Sequence, residues 1–267
     1  MMIPFLRSLV LFVFALWCLS LSASGEAGSQ EGGPPCLTYA SCNERGTAAL
    51  RHGRSDAAIQ FFEQQAALAE LADIGRQSKS RNILLHSPCK LALTAYNNLA
   101  VAYLNKHDYF QAHSWALVAM HCDKDNRAAQ FNLRNIGRAL KSWQWPKSPE
   151  GEYVQYAGRG TWESFIVEPS PPGNIHICFS GLWWGLGEGP SGLGELTGTV
   201  PFHDNEAEYT TSEFTNKKCA ISMRLYDDRL EVKQTGDEWD CGFGHNVTAN
   251  GTFQRISTGG KCATNEK

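Results

Sequence analysis

His176 and His245, with His203, Asp204 and Asp240 in the same half of the chain, are the residue types from which an acid–base pair or a metal cluster is built. A hydrolase would draw on His176, Asp240 and His245. Nothing in their spacing makes them converge, so they read as scattered surface residues. Zinc asks for CxxC pairs or clustered Cys/His spacings, and neither occurs. Ser180-Gly181 lacks the Gly-x-Ser-x-Gly frame that presents an esterase serine. The glycine-rich run from Gly185 to Gly192 has the residues of a dinucleotide loop. That loop must open a helix after a strand, and Pro190 within a β pattern denies the context, so a long hairpin loop is expected. Asn246-Val247-Thr248 and Asn250-Gly251-Thr252 are glycan acceptors only where the source glycosylates, and otherwise read as turns. The chain is therefore read as a binding protein and not an enzyme, with no catalytic residue, metal or cofactor assigned. Trp183 and Trp184 are its β-half binding candidates. Adjacent strand residues face opposite ways, so one of the two is exposed for a sugar ring or a partner.

Cysteine chemistry is structural. Met1 to Arg7 carry one positive charge, Ser8 to Leu21 are uncharged and apolar, and small residues follow at Ser22–Gly25, the layout of a cleaved secretory signal. The apolar run is short of the roughly 20 residues a spanning helix needs, so no stable membrane span is expected after cleavage. Cys18 falls in the signal core. The remaining eight, Cys36, Cys42, Cys89, Cys122, Cys178, Cys219, Cys241 and Cys262, are an even set in an exported chain and read as disulfides. They split four and four, so pairing within each half leaves nine connectivities. A secreted or periplasmic location follows.

The elements that must hold these residues divide at Trp143–Pro149. With 267 residues, 42% hydrophobic and 19% charged, the chain is an ordinary globular mixture, and its net charge of −3 shows no nucleic-acid binder. Before the division, Ala, Leu, Gln and Asn recur at helical spacing; after it come Gly, Thr and aromatic residues in short alternating runs. Cys36–Glu150 carries a net +5 and Gly151–Lys267 a net −7, which makes docking between the halves plausible. The expected fold is α+β, with a short helical solenoid followed by a small antiparallel sheet or barrel. Its expected boundaries are a signal over 1–25, a disordered tail over 26–37, a helical domain over 38–142, a linker over 143–157, a β domain over 158–256 and a C-terminal tail over 257–267. Strands are expected over Gly160–Val167, Asn174–Ser180, Ala207–Ser212, Cys219–Tyr226, Arg229–Gln234 and Gly251–Arg255, with a hairpin at Tyr226–Arg229.

Asn98-Leu99 and Asn132-Leu133 lie 34 residues apart, with small residues at Ala100, Ala102 and Ala112 and large ones at Leu99, Tyr103 and Trp115. Gly46, Gly53, Ala58 and Phe62 repeat the scheme, so Thr38–Leu140 resembles the tetratricopeptide family. About twenty inserted residues near Asp73–Cys89 depart from it, with Cys42 and Cys89 placed to tie the insert down. The resemblance implies a concave face gripping a protein or peptide partner, with Arg51, Asn97, Asn98, Asn105, Gln130 and Asn132 as candidates. The alternative for the asparagines is that they satisfy neighbouring helix backbone. Gly158–Arg255, with Cys178, the Cys219 strand and the Asp240–Val247 ending, resembles small disulfide-bonded all-β domains of exported bacterial proteins. Some of those are similar to the C-type lysozyme inhibitor family; no residue here matches that family's inhibitory loop, so lysozyme inhibition is not implied. A hydrolase inhibitor or glycan binder acting through Trp183–Gly194 is the alternative to an adaptor.

Overall fold

In a computed structural model the described residues are 34–77, 89–183 and 191–262. The segment read as a signal, and the Gly185–Gly189 run with Trp184, lie outside them. The described residues form five helices and then eight strands: α1 (Tyr39–Arg51), α2 (Ser55–Gln77), α3 (Leu93–Asn105), α4 (Tyr109–Cys122), α5 (Arg127–Leu140), β1 (Gly151–Gly158), β2 (Thr161–Ser170), β3 (Asn174–Trp183), β4 (Gly192–His203), β5 (Glu206–Thr211), β6 (Cys219–Leu225), β7 (Arg229–Thr235) and β8 (Gly251–Ser257). None of the described helices is long and apolar enough to cross a membrane.

Three of the helices start where a side chain takes one of the first free amides. Thr38 accepts from the Ser41 amide of α1, Asp108 from the Gln111 amide of α4, and Asn126 from the Ala129 amide of α5. Consecutive helices pack on one another through buried alanines, among them Ala58, Ala66, Ala95, Ala112 and Ala119, while Phe62, Leu99, Trp115 and Ile136 fill the spaces between. The extra residues after the first helix pair lengthen α2 to 23 residues, against 13 or 14 in the other helices.

The strands form a closed antiparallel barrel in chain order, with β8 returning to β1. Phe165, Ile177, Phe179, Ile221, Leu230 and Phe253 fill its interior. Phe243 and Val247, from the β7–β8 connection, fold into the same core, so this is a packed barrel and not a pore. Two strands depart from the sequence reading. β1 occupies Gly151–Gly158, where the later part of a linker was expected, and pairs with β2 from Gly151↔Val167 to Gly158↔Thr161. β4, absent from the expected strands, pairs with β3 over ten residues from Asn174↔Pro201 to Trp183↔Gly192.

The four disulfides each stay within one half: Cys36–Cys42, Cys89–Cys122, Cys178–Cys262 and Cys219–Cys241. Cys42 and Cys89 therefore do not close the insert. Cys42 locks the chain entering α1, and Cys89 ties the approach to α3 onto the end of α4.

The halves are joined at the β1–β2 hairpin. Tyr156 and Trp162 pack on the helical core, with Trp162 edge-on to Trp115 at 4.8 Å and Tyr156 edge-on to Tyr96 at 5.7 Å. Buried Glu70 of α2 is the hub, accepting from Tyr96 Oη at 2.5 Å, Tyr156 Oη at 2.6 Å and the Arg159 amide. Burial, reinforced by the Glu70 charge, pushes both tyrosine hydroxyls well above their ordinary range, so both stay protonated and donate. A second tie lies at the linker. The buried Arg255 guanidinium of β8 donates to the carbonyls of Pro146 (3.4 Å), Ser148 (3.0 Å), Asp227 (3.1 Å) and Glu150, and lies 5.0 Å from the Trp145 ring centre.

Candidate binding site

One end of the barrel carries the ends of β1, β3, β5 and β7. The 15-residue β7–β8 connection folds over it. Its course is fixed by local chemistry. The Asp240 amide donates to Asp237 Oδ1 at 2.9 Å, while Asp240 Oδ2 accepts from the Asp237 amide at 3.2 Å. Thr215 Oγ1, from the β5–β6 connection, donates to Asp240 Oδ1 at 2.6 Å. That hydroxyl holds the Asp240 carboxyl below the usual carboxylate range. The Cys219–Cys241 bridge pins the same turn to β6.

With Cys241, Phe243, Val247 and Ala249 committed to the core, the connection turns Trp239 and His245 outward. His245 meets Trp183 edge-on at 5.4 Å and Trp239 nearly face to face at 6.5 Å, and its Nδ1 lies 3.7 Å from Glu238 Oε1. Leu193 lies alongside, its carbonyl accepting from the Gly244 amide at 2.8 Å. Phe214 covers Gly242, whose positive φ of 76° and missing Cβ let the ring lie directly on the backbone. Leu193, Phe214 and Trp239 are each more than half exposed. The result is an aromatic rim with a carboxylate at its edge. Such a surface stacks on and desolvates a ligand.

No family model, curated protein or solved structure matches this chain. The residues alone must carry the functional argument.

Of the sequence candidates, Trp183 is in the rim, half-buried at the end of β3, and Trp184 lies outside the described residues. Leu193 falls within the Trp183–Gly194 loop named in the sequence, whereas Trp239 and Phe214 were not among the candidates. The one usable signal was the density of Trp239, Phe243 and His245 around Cys241.

The helical candidates mostly turn inward. Asn97 is buried and donates to the Leu93 carbonyl at 3.0 Å and to Asn126 at 3.3 Å. Asn132, also buried, donates to the Asn97 carbonyl at 3.3 Å. Asn98 donates to Asn43 at 2.9 Å, and Gln130 to the Lys124 carbonyl at 3.1 Å. The asparagine amides knit helix to helix, while Gln130 folds back on the turn before its own helix. Arg51 and Asn105 are the exposed members of the set.

The hydrolase trio does not assemble. His176 lies near the start of β3, where its Nδ1 contacts Thr199 Oγ1 at 3.0 Å, whereas His245 packs on Trp183 near the other end. Seven residues of extended chain separate those positions, about 20 Å. Both Asp240 oxygens are engaged by Thr215 and Asp237.

Proposed function

We propose that the protein is an exported binding protein whose working surface is the aromatic rim of the barrel and whose ligand is another protein. The observation that carries this reading is the gathering of Trp183, Leu193, Phe214, Trp239 and His245 around one disulfide-pinned connection. Aromatic side chains of this kind are enriched at interface centres, where their area is buried at low entropic cost. Leu193 and Phe214 beside the tryptophans favour a protein over a sugar, which needs one flat ring flanked by polar groups. The four disulfides suit a secreted or periplasmic setting.

The helical half acts in this reading as a scaffold that steadies the barrel. Its tetratricopeptide-like character is supported in α3–α5, where 34 residues separate Leu93 from Arg127 at the two helix starts. The test places a photo-crosslinking residue at Trp239, and in a second protein at Arg51, with secreted or envelope extract as prey. Crosslinks to one discrete protein from position 239, and none from 51, are expected. The opposite pattern would return the function to the helical face. Retention on a polysaccharide, abolished by Trp239→Ala, would replace the protein ligand with a glycan.

A further inference from the structure

On the outer face of the barrel, far along β3 from the rim, three ligand-type side chains converge: His176, Cys178 and Cys262. Their donor atoms all lie within 4.8 Å of one another, the one such group of three among the described residues. His176 and Cys178 are two apart on one strand and so share a face. The Cys262 side chain reaches the same face through its bridge to Cys178. We propose that opening this disulfide creates a Cys₂His site for a soft d¹⁰ cation, of which zinc is the probe.

The geometry is already close to what such an ion needs. Metal–sulfur and metal–nitrogen bonds of roughly 2.3 and 2.0–2.1 Å in a tetrahedron put neighbouring ligand atoms roughly 3.6–3.8 Å apart. Cys178 Sγ lies 3.8 Å from His176 Nε2. The other ring nitrogen is held: Nδ1 contacts Thr199 Oγ1 at 3.0 Å, an outer contact of the kind that fixes a histidine ligand's orientation, and Nε2 is the nitrogen that faces sulfur. Thr197 Oγ1 contacts both Nε2 (3.3 Å) and Cys178 Sγ (3.4 Å) and gives way when the ion enters. Cys262 stays in reach after the bridge opens because its amide donates to Glu168 Oε1 at 3.2 Å, and Glu168 stands opposite His176 in the β2–β3 register.

A small dithiol supplies the reducing equivalents. It attacks the bridge, leaves as its own cyclic disulfide, and returns Cys178 and Cys262 as two thiols. Zinc then displaces one proton from each sulfur and takes the Nε2 lone pair, and water completes the coordination. Access narrows the choice to two bridges, since Cys122 and Cys178 are half-buried whereas Cys42, Cys219 and Cys241 are at most 2% exposed; of the two it is Cys178 whose sulfur has a histidine nitrogen beside it. The bridge therefore works as a gate that keeps the metal site closed under oxidising conditions.

The test titrates the full chain with zinc before and after mild dithiol treatment, using differential alkylation and peptide mass spectrometry to identify which bridge has opened. Native mass spectrometry should find no zinc on the oxidised chain and one zinc per chain once Cys178–Cys262 is open. Cobalt should then give thiolate-to-cobalt charge-transfer absorption. His176→Ala should abolish stoichiometric binding, and Thr199→Val should weaken it by about tenfold or more. Circular dichroism checks that each variant is folded. An opened bridge that takes no zinc, equal binding by the oxidised chain, or unchanged binding by folded His176→Ala would each overturn the proposal. The rim is not involved, so failure here leaves the proposed function untouched, and the converse holds.

Discussion

Glu163 shows how much a single side chain can contradict its strand. On β2 it shares the inward face with Phe165 and Val167, and it is only 8% exposed. Burial pushes its carboxyl up to about 7 from the ordinary 4.5. The folded chain therefore holds this proton to a higher pH than the unfolded chain does. Stability from this group is fully present below pH 4.5 and is lost as the pH rises to about 7. The loss amounts to about 3 kcal/mol. His113 works in the opposite sense, since burial lowers its pKa and favours the neutral ring. The readout is therefore the difference between wild type and Glu163→Gln in urea unfolding. The variant is expected to gain on the wild type steadily across that window, and a constant difference would show that the carboxyl ionises freely. A polar residue on an inward face breaks the very alternation from which burial is read, so neither Glu163 nor Arg255 announced itself in the sequence. Asn98 and Asn132 stand 34 residues apart in the sequence, and in the fold their amides serve helix contacts.

At the scale of elements, legibility followed side-chain size. β3, β6, β7 and β8 alternate with large inward residues, such as Ile175, Ile177 and Phe179 on β3, and the sequence shows them. β4 alternates too, but its inward positions include Gly192, Gly194 and Gly198, with Leu196 and Val200 between and after them. The space those glycines leave is filled from outside the strand, by Val247 and Phe243 over Gly194 and by Tyr209 over Gly198. A hydrophobic pattern supplied by other elements cannot be read from the strand itself. A Cβ on Gly194 would sit 2.6 Å from Val247 Cγ1 and 3.0 Å from the Phe243 ring, both fully packed. Gly194→Ala is therefore expected to cost about 1–3 kcal/mol, the usual range for overpacking a core. The fall in the urea midpoint should come with altered near-ultraviolet dichroism. A variant as stable as wild type would mean that the β7–β8 connection is loosely seated and is no rigid platform for the rim.

For the whole molecule, the opposite net charges of the halves made docking plausible, yet the contact that joins them is aromatic and turns on one buried carboxylate. Tyr96, Trp115, Tyr156 and Trp162 lie ring to ring across the boundary, and Glu70 receives a hydrogen bond from each side of it. That arrangement depends on which rings meet in space, and composition holds no trace of it. It also gives the helical half its partner. The helical half alone would leave these aromatics uncovered, and the β1–β2 hairpin covers Tyr96 and Trp115. The two halves should therefore unfold together. In the wild type, the helical signal in far-ultraviolet dichroism and the aromatic signal in the near-ultraviolet should melt in one coincident transition. Removing the wedge with Trp162→Ala together with Glu70→Gln deletes a large half-buried ring and the charged acceptor at the junction, a loss of about 2–3 kcal/mol from the ring alone, below the range for a fully buried ring. The transitions should then separate, with the helices melting first and the barrel, closed on itself and holding two disulfides, melting later. If the doubly substituted chain still melts in one step, lowered but coincident, the Arg255–linker tie is sufficient to couple the halves, and the hairpin contact is packing without control over cooperativity.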